Sequence, residues 1–169
     1  RVFACGYGVS IWRFAAIVAG AGTVGMEIIE QLPDVDFVLV PTGGVGLLAG
    51  VSLAIKTLRP VATVIGIEPK ACASYNAALI AGHPVFTPTS GTLADGLAVP
   101  MVGTNAFAVA RKYCDDNVQV SEKQIALAML RLLENEKIVV EGAGAAGLAS
   151  ILPGGPCHER CVGKKVVVP

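Results

Sequence analysis

Pro41-Thr42-Gly43-Gly44-Val45-Gly46-Leu47-Leu48-Ala49-Gly50 follows the strand-like run Val35-Asp36-Phe37-Val38-Leu39-Val40, and the reading of this stretch decides the fold. Three glycines fall between positions 43 and 46. Glycine adopts backbone angles closed to other residues, and without a Cβ it lets peptide N–H groups come close to an anion. Leu47, Leu48, Val51, Ile55 and Leu58 then recur with helical spacing, which places the loop at a helix N-terminus, where unpaired N–H groups and the helix dipole favour negative charge. Phosphate is the natural guest. The same glycines also suit a tight strand-to-helix turn with no ligand.

Working outward, the chain of 169 residues is one domain's worth and long enough to bury a sizeable core. Its 13 basic and 13 acidic residues balance, which leaves no electrostatic footprint for nucleic acid or an anionic membrane surface. Apolar residues make up 53% and charged residues only 15%, an imbalance that predicts extensive burial against a partner or a missing part of the fold. Arg13 and Glu27 interrupt the only apolar region approaching a membrane span. Five irregularly spaced cysteines predict free thiols in a reducing cytoplasm. Cys157-His158-Glu159-Arg160-Cys161 lacks the second ligand pair that a zinc site needs.

Residues 1–15 fit neither a strand nor a helix period and stay unassigned, apart from Ala15, which opens the short strand-like run Ala15–Ala19. Gly20-Ala21-Gly22-Thr23-Val24-Gly25 and a helix closed by Pro33 come next. This is literally the glycine pattern of a dinucleotide-binding turn. That turn needs an acid at the end of the next strand, and here Asp34 and Asp36 stand at its start.

Ala62–Pro69 is a continuous β-branched run, as in a strand covered on both faces, and a helix through Cys72 to Ala81 follows. Alternating strands and helices predict crossover connections and an α/β fold, a mostly parallel sheet with helices on both faces. Residues 83–105 form a long, functional-looking connection. Then come a helix over 106–115, a short strand at Asn117–Val120, a capping-box helix start at Ser121 with Gln124, and the run Ile138-Val139-Val140 before Glu141. Lys165–Val168 reads as a further buried strand.

Three acids stand out. Asp95 in Ala94-Asp95-Gly96 suits a turn, and Glu68 suits either a helix cap or a site. Glu141, placed between apolar valines and a small-residue helix start, is predicted to need a partner or a shifted pKa. The two histidines, His83 and His158, read as solvated turn residues.

The ordered set Pro41–Gly50, Glu68-Pro69, Thr92–Pro100 and Val140–Gly147 resembles the fold-type-II pyridoxal-phosphate enzymes, with the tryptophan-synthase-β-like fold. It is most similar to the threonine and serine dehydratases (ammonia-lyases), with serine racemase a close relative. The resemblance covers residues 16–169, which it makes a partial large domain truncated at both ends, and it explains Ala19–Gly25 as the family's helix opening. It implies that Gly43, Gly44, Val45, Gly46 and Leu47 hold the cofactor phosphate through backbone N–H groups. Gly96 then lies beside the cofactor ring and Glu141 near the pyridine edge, where it is the candidate catalytic group.

The implied reaction is dehydration of L-threonine or L-serine to a 2-oxo acid and ammonia, with pyridoxal phosphate as electron sink. It implies a cytoplasmic lyase of amino-acid metabolism, including isoleucine biosynthesis, homo-oligomeric in its full-length parent. In metal-binding relatives Glu68, the backbone at Cys72 and an aspartate at the place of Ser74 hold a cation, and Ser74 is a poorer ligand than a carboxylate.

The departures are informative. None of the seven lysines has the Ser-Phe-Lys setting of the family's Schiff-base lysine, so this chain alone is expected to show no turnover. Val45 stands where close relatives have glycine, and a β-branched residue resists positive φ, which predicts weakened cofactor binding. The alternative readings are a serine racemase-like enzyme, a non-catalytic fragment pairing with an intact subunit, and a nicotinamide enzyme.

Overall fold

The computed structural model describes residues 15–169. The stretch before Ala15, left unassigned above, lies outside the described residues. Four strands form one fully parallel sheet: β1 (Phe37–Pro41), β2 (Thr63–Pro69), β3 (Asp116–Val120) and β4 (Val166–Val167), in the order β3-β2-β1-β4. Successive strand residues face opposite sides, so Val38, Val40 and Val64 enter one apolar cluster while Leu39, Ile65 and Ile67 enter another. The first cluster packs under α1 (Ala15–Gln31), α2 (Gly46–Leu58), α3 (Ser74–Ala81) and α4 (Thr104–Tyr113). The second packs under α5 (Glu122–Arg131) and α6 (Gly142–Ile151), with Cys157 just ahead of α7 (His158–Cys161). Helices therefore cover both faces, which is why β1 and β2 read as unbroken apolar runs.

Strand order reverses at β1, with β2 on one side and β4 on the other. In open parallel sheets ligands bind outside the carboxyl ends of the strands at such a point. The loop at Gly43 is what emerges there.

Several expectations change. Ala15–Ala19 is the first part of α1, not a strand. The glycines of the 20–25 pattern lie inside that helix, and Gly25 serves close packing: a Cβ on it would lie 2.8 Å from the Ala54 Cβ, while one on Gly50 of α2 would lie 2.4 Å from the Val18 carbonyl oxygen. A dinucleotide turn is thereby excluded, and the nicotinamide reading with it. Ile138-Val139-Val140 pairs with no strand among the described residues, and Val139 is 89% exposed. Among the described residues β4 is a half-buried edge strand rather than a buried one, paired only with β1. His83 is exposed, whereas His158 is half-buried, its Nδ1 2.8 Å from the Ile151 carbonyl oxygen. No described helix is long and apolar enough to cross a membrane.

Candidate active site

β1 ends at Pro41, and Thr42 anchors the turn that follows. Its N–H donates to the Ile67 carbonyl (2.8 Å) and its hydroxyl to the Val40 carbonyl (2.8 Å). Gly43 then passes so close to the next element that a Cβ would lie 3.0 Å from the Leu97 Cα, which explains the glycine. The Gly44 carbonyl accepts from the Gly103 N–H at 3.4 Å, at the start of α4. Val45 has φ 72° and ψ −5° and is the cap residue of α2, with no side-chain cap.

Helical hydrogen bonding begins with the Ala49 N–H donating to the Val45 carbonyl at 2.9 Å. The N–H groups of Gly46, Leu47 and Leu48 therefore have no partner within the helix. Among the described residues none of the N–H groups of Gly43, Gly44 and Val45 finds a backbone acceptor outside the regular elements. All of these residues except half-buried Leu47 are buried. Buried, unpaired N–H groups at a helix N-terminus are costly unless an acceptor arrives, and a phosphate supplies several acceptor oxygens at once.

The 83–105 connection carries the opposing wall. Asp95–Leu97 forms a short 3₁₀ turn held by the Leu97 N–H donating to the Ala94 carbonyl at 2.9 Å. Asp95 is exposed, as a turn acid. Glu122, in the first turn of α5, grips the chain just before it: one carboxylate oxygen accepts from the Thr92 hydroxyl and the other from the Leu93 N–H, both at 2.7 Å. Nothing in the spacing of residues 92–122 points to this grip. An acid beside a capping serine reads only as a dipole-compensating residue.

Gly96 faces α6. A Cβ there would lie 3.2 Å from the Ala143 Cβ and 3.7 Å from Glu141 Oε1. A Cβ on Gly142 would lie 2.1 Å from the Leu93 carbonyl oxygen, so the start of α6 is packed against the same connection. The structure thus joins Gly43, Gly96–Leu97 and Glu141–Ala143, residues far apart in sequence, around the carboxyl end of β1. Glu141 is exposed rather than trapped between buried valines, so the predicted need for a buried partner does not arise.

Glu68 has a different role. Its side chain is 0% exposed, and its oxygens accept from the Tyr75 N–H (2.7 Å), the Asn76 N–H (3.0 Å) and the Asn117 amide (2.7 Å). It caps α3 from below. Burial pushes its carboxyl above the ordinary value of 4.5, outweighing the three hydrogen bonds. The Ser74 hydroxyl is buried with no partner, and Cys72 is buried with its thiol pushed up to about 11 by burial. With both Glu68 oxygens engaged and no carboxylate at Ser74, these residues do not make a site for a hard cation. No group of three or more His, Cys, Asp or Glu suited to a metal occurs among the described residues.

A parallel α/β sheet whose switch-point loop leaves unpaired N–H groups at a helix start has a geometry that suits an anion such as phosphate. A family profile described as pyridoxal-phosphate dependent enzyme matches residues 7–168, and the chain belongs to that family. The match reaches back into the stretch that the sequence reading left unassigned.

The chain is 48% identical over 136 residues to L-threonine ammonia-lyase of Thermotoga maritima, covering 80% of this chain and 34% of that protein. It is 43% identical over 138 residues to the catabolic L-threonine dehydratase of Escherichia coli, covering 82% of this chain and 42% of that protein. Among solved structures, threonine deaminase isoform 2 from Solanum lycopersicum superposes with a TM-score of 0.85 at 31% identity, covering 95% of this chain and 46% of that one. Serine racemase from Dictyostelium discoideum does so with a TM-score of 0.82 at 31% identity, covering 92% and 49%. The chain therefore spans well under half the length of these curated relatives and about half of these structures.

Proposed function

We propose that this chain is the phosphate-cradling part of an enzyme that deaminates L-threonine, and L-serine beside it, to a 2-oxo acid and ammonia. The observation that carries the reading is the set of unpaired N–H groups from Gly43 to Leu47, set against Gly96–Leu97 and Glu141, in a chain similar to threonine ammonia-lyases. Pyridoxal phosphate fits this arrangement. Bound there, it supplies the electron sink that lets an amino acid lose its α-proton.

The N–H groups of Gly43, Gly44, Val45, Gly46 and Leu47 hold its phosphate. Gly96, whose lack of a Cβ lets the 95–97 turn pack closely against Ala143, would sit beside the cofactor ring. Glu141, whose Oε1 lies near Gly96, would offer a hydrogen-bond acceptor to the cofactor's ring edge. Glu122 keeps the Thr92–Leu97 wall in place. No cation takes part, because Glu68 is engaged as a cap.

The rest of the reading follows the family: a cytoplasmic enzyme of amino-acid metabolism, biosynthetic for isoleucine or catabolic, working as a homo-oligomer. The likeness to serine racemase favours racemisation as a second activity of the same site. The exposed apolar residues, Val139, Ile80, Val61 and Phe86 above all, favour pairing with further polypeptide.

The test is a graft of this chain into the matching stretch of the Thermotoga maritima enzyme. The hybrid is expected to release 2-oxobutanoate from L-threonine, whereas the 169-residue chain alone releases none. A folded, cofactor-loaded hybrid with no deaminase activity would reject the reading.

A further inference from the structure

The cradle contains one residue that its backbone conformation disfavours. Val45 is at φ 72°, in the left-handed region, which a β-branched side chain enters only under constraint. Lys137, at φ 60°, is the other non-glycine residue at positive φ among the described residues, and it ends an exposed π-helical turn. Val45 is different: it is 2% exposed and belongs to the apolar cluster that holds Leu48, Ala49, Val102, Ala106 and Phe107.

Its neighbours are also fixed. Thr42 is tied to Ile67, Gly44 to Gly103, and Gly43 lies flush against Leu97. Strain of this kind persists where surrounding structure over-determines it, and it concentrates at ligand clamps.

Resting on the reading of this loop as a cofactor-phosphate cradle, we propose that Val45 is its positioning residue. The buried isopropyl group wedges the turn in the left-handed geometry that leaves the N–H groups of Gly46 and Leu47 free for phosphate. In this chain side-chain packing does what glycine's freedom alone would leave loose. The strain is then carried by the fold and not by binding, so the valine does not weaken the cradle as the sequence suggested.

The consequence separates two substitutions. Val45→Gly relieves the backbone but releases the wedge, and the added backbone freedom lowers phosphate affinity about two- to fivefold. Val45→Ala keeps a Cβ at positive φ while losing the packing, so it keeps the strain and forfeits what offsets it. The glycine variant should therefore be at least as heat-stable as the alanine variant, the reverse of the usual order. Ile55→Val, deeper in the same helix, serves as the packing control: it should lower stability and leave affinity unchanged.

Titration calorimetry of the 169-residue chain with inorganic phosphate and with pyridoxal phosphate, beside thermal unfolding, reads both effects. The proposal expects binding by the wild type, weaker binding by Val45→Gly, and unchanged affinity in Ile55→Val. Val45→Gly binding as tightly as wild type or tighter, with the wild type binding, overturns the wedge and leaves the cradle intact. A wild-type chain that binds neither ligand overturns the cradle reading and the wedge together.

Discussion

The N-termini of α2 and α3 follow parallel strands that pair directly with each other, yet they are finished in opposite ways. α3 is closed from within: the buried carboxylate of Glu68 takes the N–H groups of Tyr75 and Asn76. α2 starts at a strained Val45 that offers no side-chain cap, and its first N–H groups are left over. A protein of this size can satisfy a helix start with its own side chain, buried at α3 and part-exposed at the capping box of α5. α4 and α6 also start without a side-chain cap, but only α2 among these follows the glycine loop at the sheet's switch point.

The largest expected effect tests the closed end. Glu68→Leu leaves the N–H groups of Tyr75 and Asn76 and the Asn117 amide buried without acceptors, and should cost about 3 kcal/mol in urea unfolding. Phosphate affinity at α2 should stay as in the wild type.

Gly43→Ala attacks the open end instead. Its Cβ would meet the Leu97 backbone at 3.0 Å, and backbone cannot swing aside as a side chain can. Pyridoxal phosphate affinity should fall about tenfold with a smaller loss of stability, read by equilibrium titration beside a melting curve. Ser121→Ala removes the α5 capping box and should cost about 1 kcal/mol, with no change in cofactor affinity.

The smallest effect is a pH dependence. The Glu68 carboxyl is raised in the folded state, so the native protein binds a proton more readily than the unfolded chain. Its contribution to stability is therefore greatest at low pH, and falls as pH rises from about its ordinary value of 4.5 through the raised one. The stability gap between wild type and Glu68→Gln, measured by urea unfolding at stepped pH, should narrow across that interval.

Much of this was legible in the residues. The apolar runs at 37–41 and 63–69, with helical spacing between them, announced a parallel sheet, and the glycines at 43, 44 and 46 announced the turn that leads from β1 into α2. What misled was local ambiguity. Ala15–Ala19 carries apolar residues but no information about pairing partners, so the expected strand is the start of a helix, and the apolar run before Glu141 is largely exposed.

Glu68 and Glu141 illustrate the same limit from the side of charge. Both end apolar runs ahead of a helix, and only the packing of α3 over Glu68 and the openness of the α6 start separate a buried cap from an exposed acid. The grip of Glu122 on Thr92 and Leu93 joins residues about thirty positions apart and leaves no periodic trace.

Amide NMR during a phosphate titration compares the two helix starts most directly. The central claim predicts saturable shifts at Gly43, Gly44, Gly46 and Leu47, displaced in turn by pyridoxal phosphate, with Tyr75 and Asn76 unmoved. Equal shifts at both helix starts, or none at the α2 loop, would contradict it.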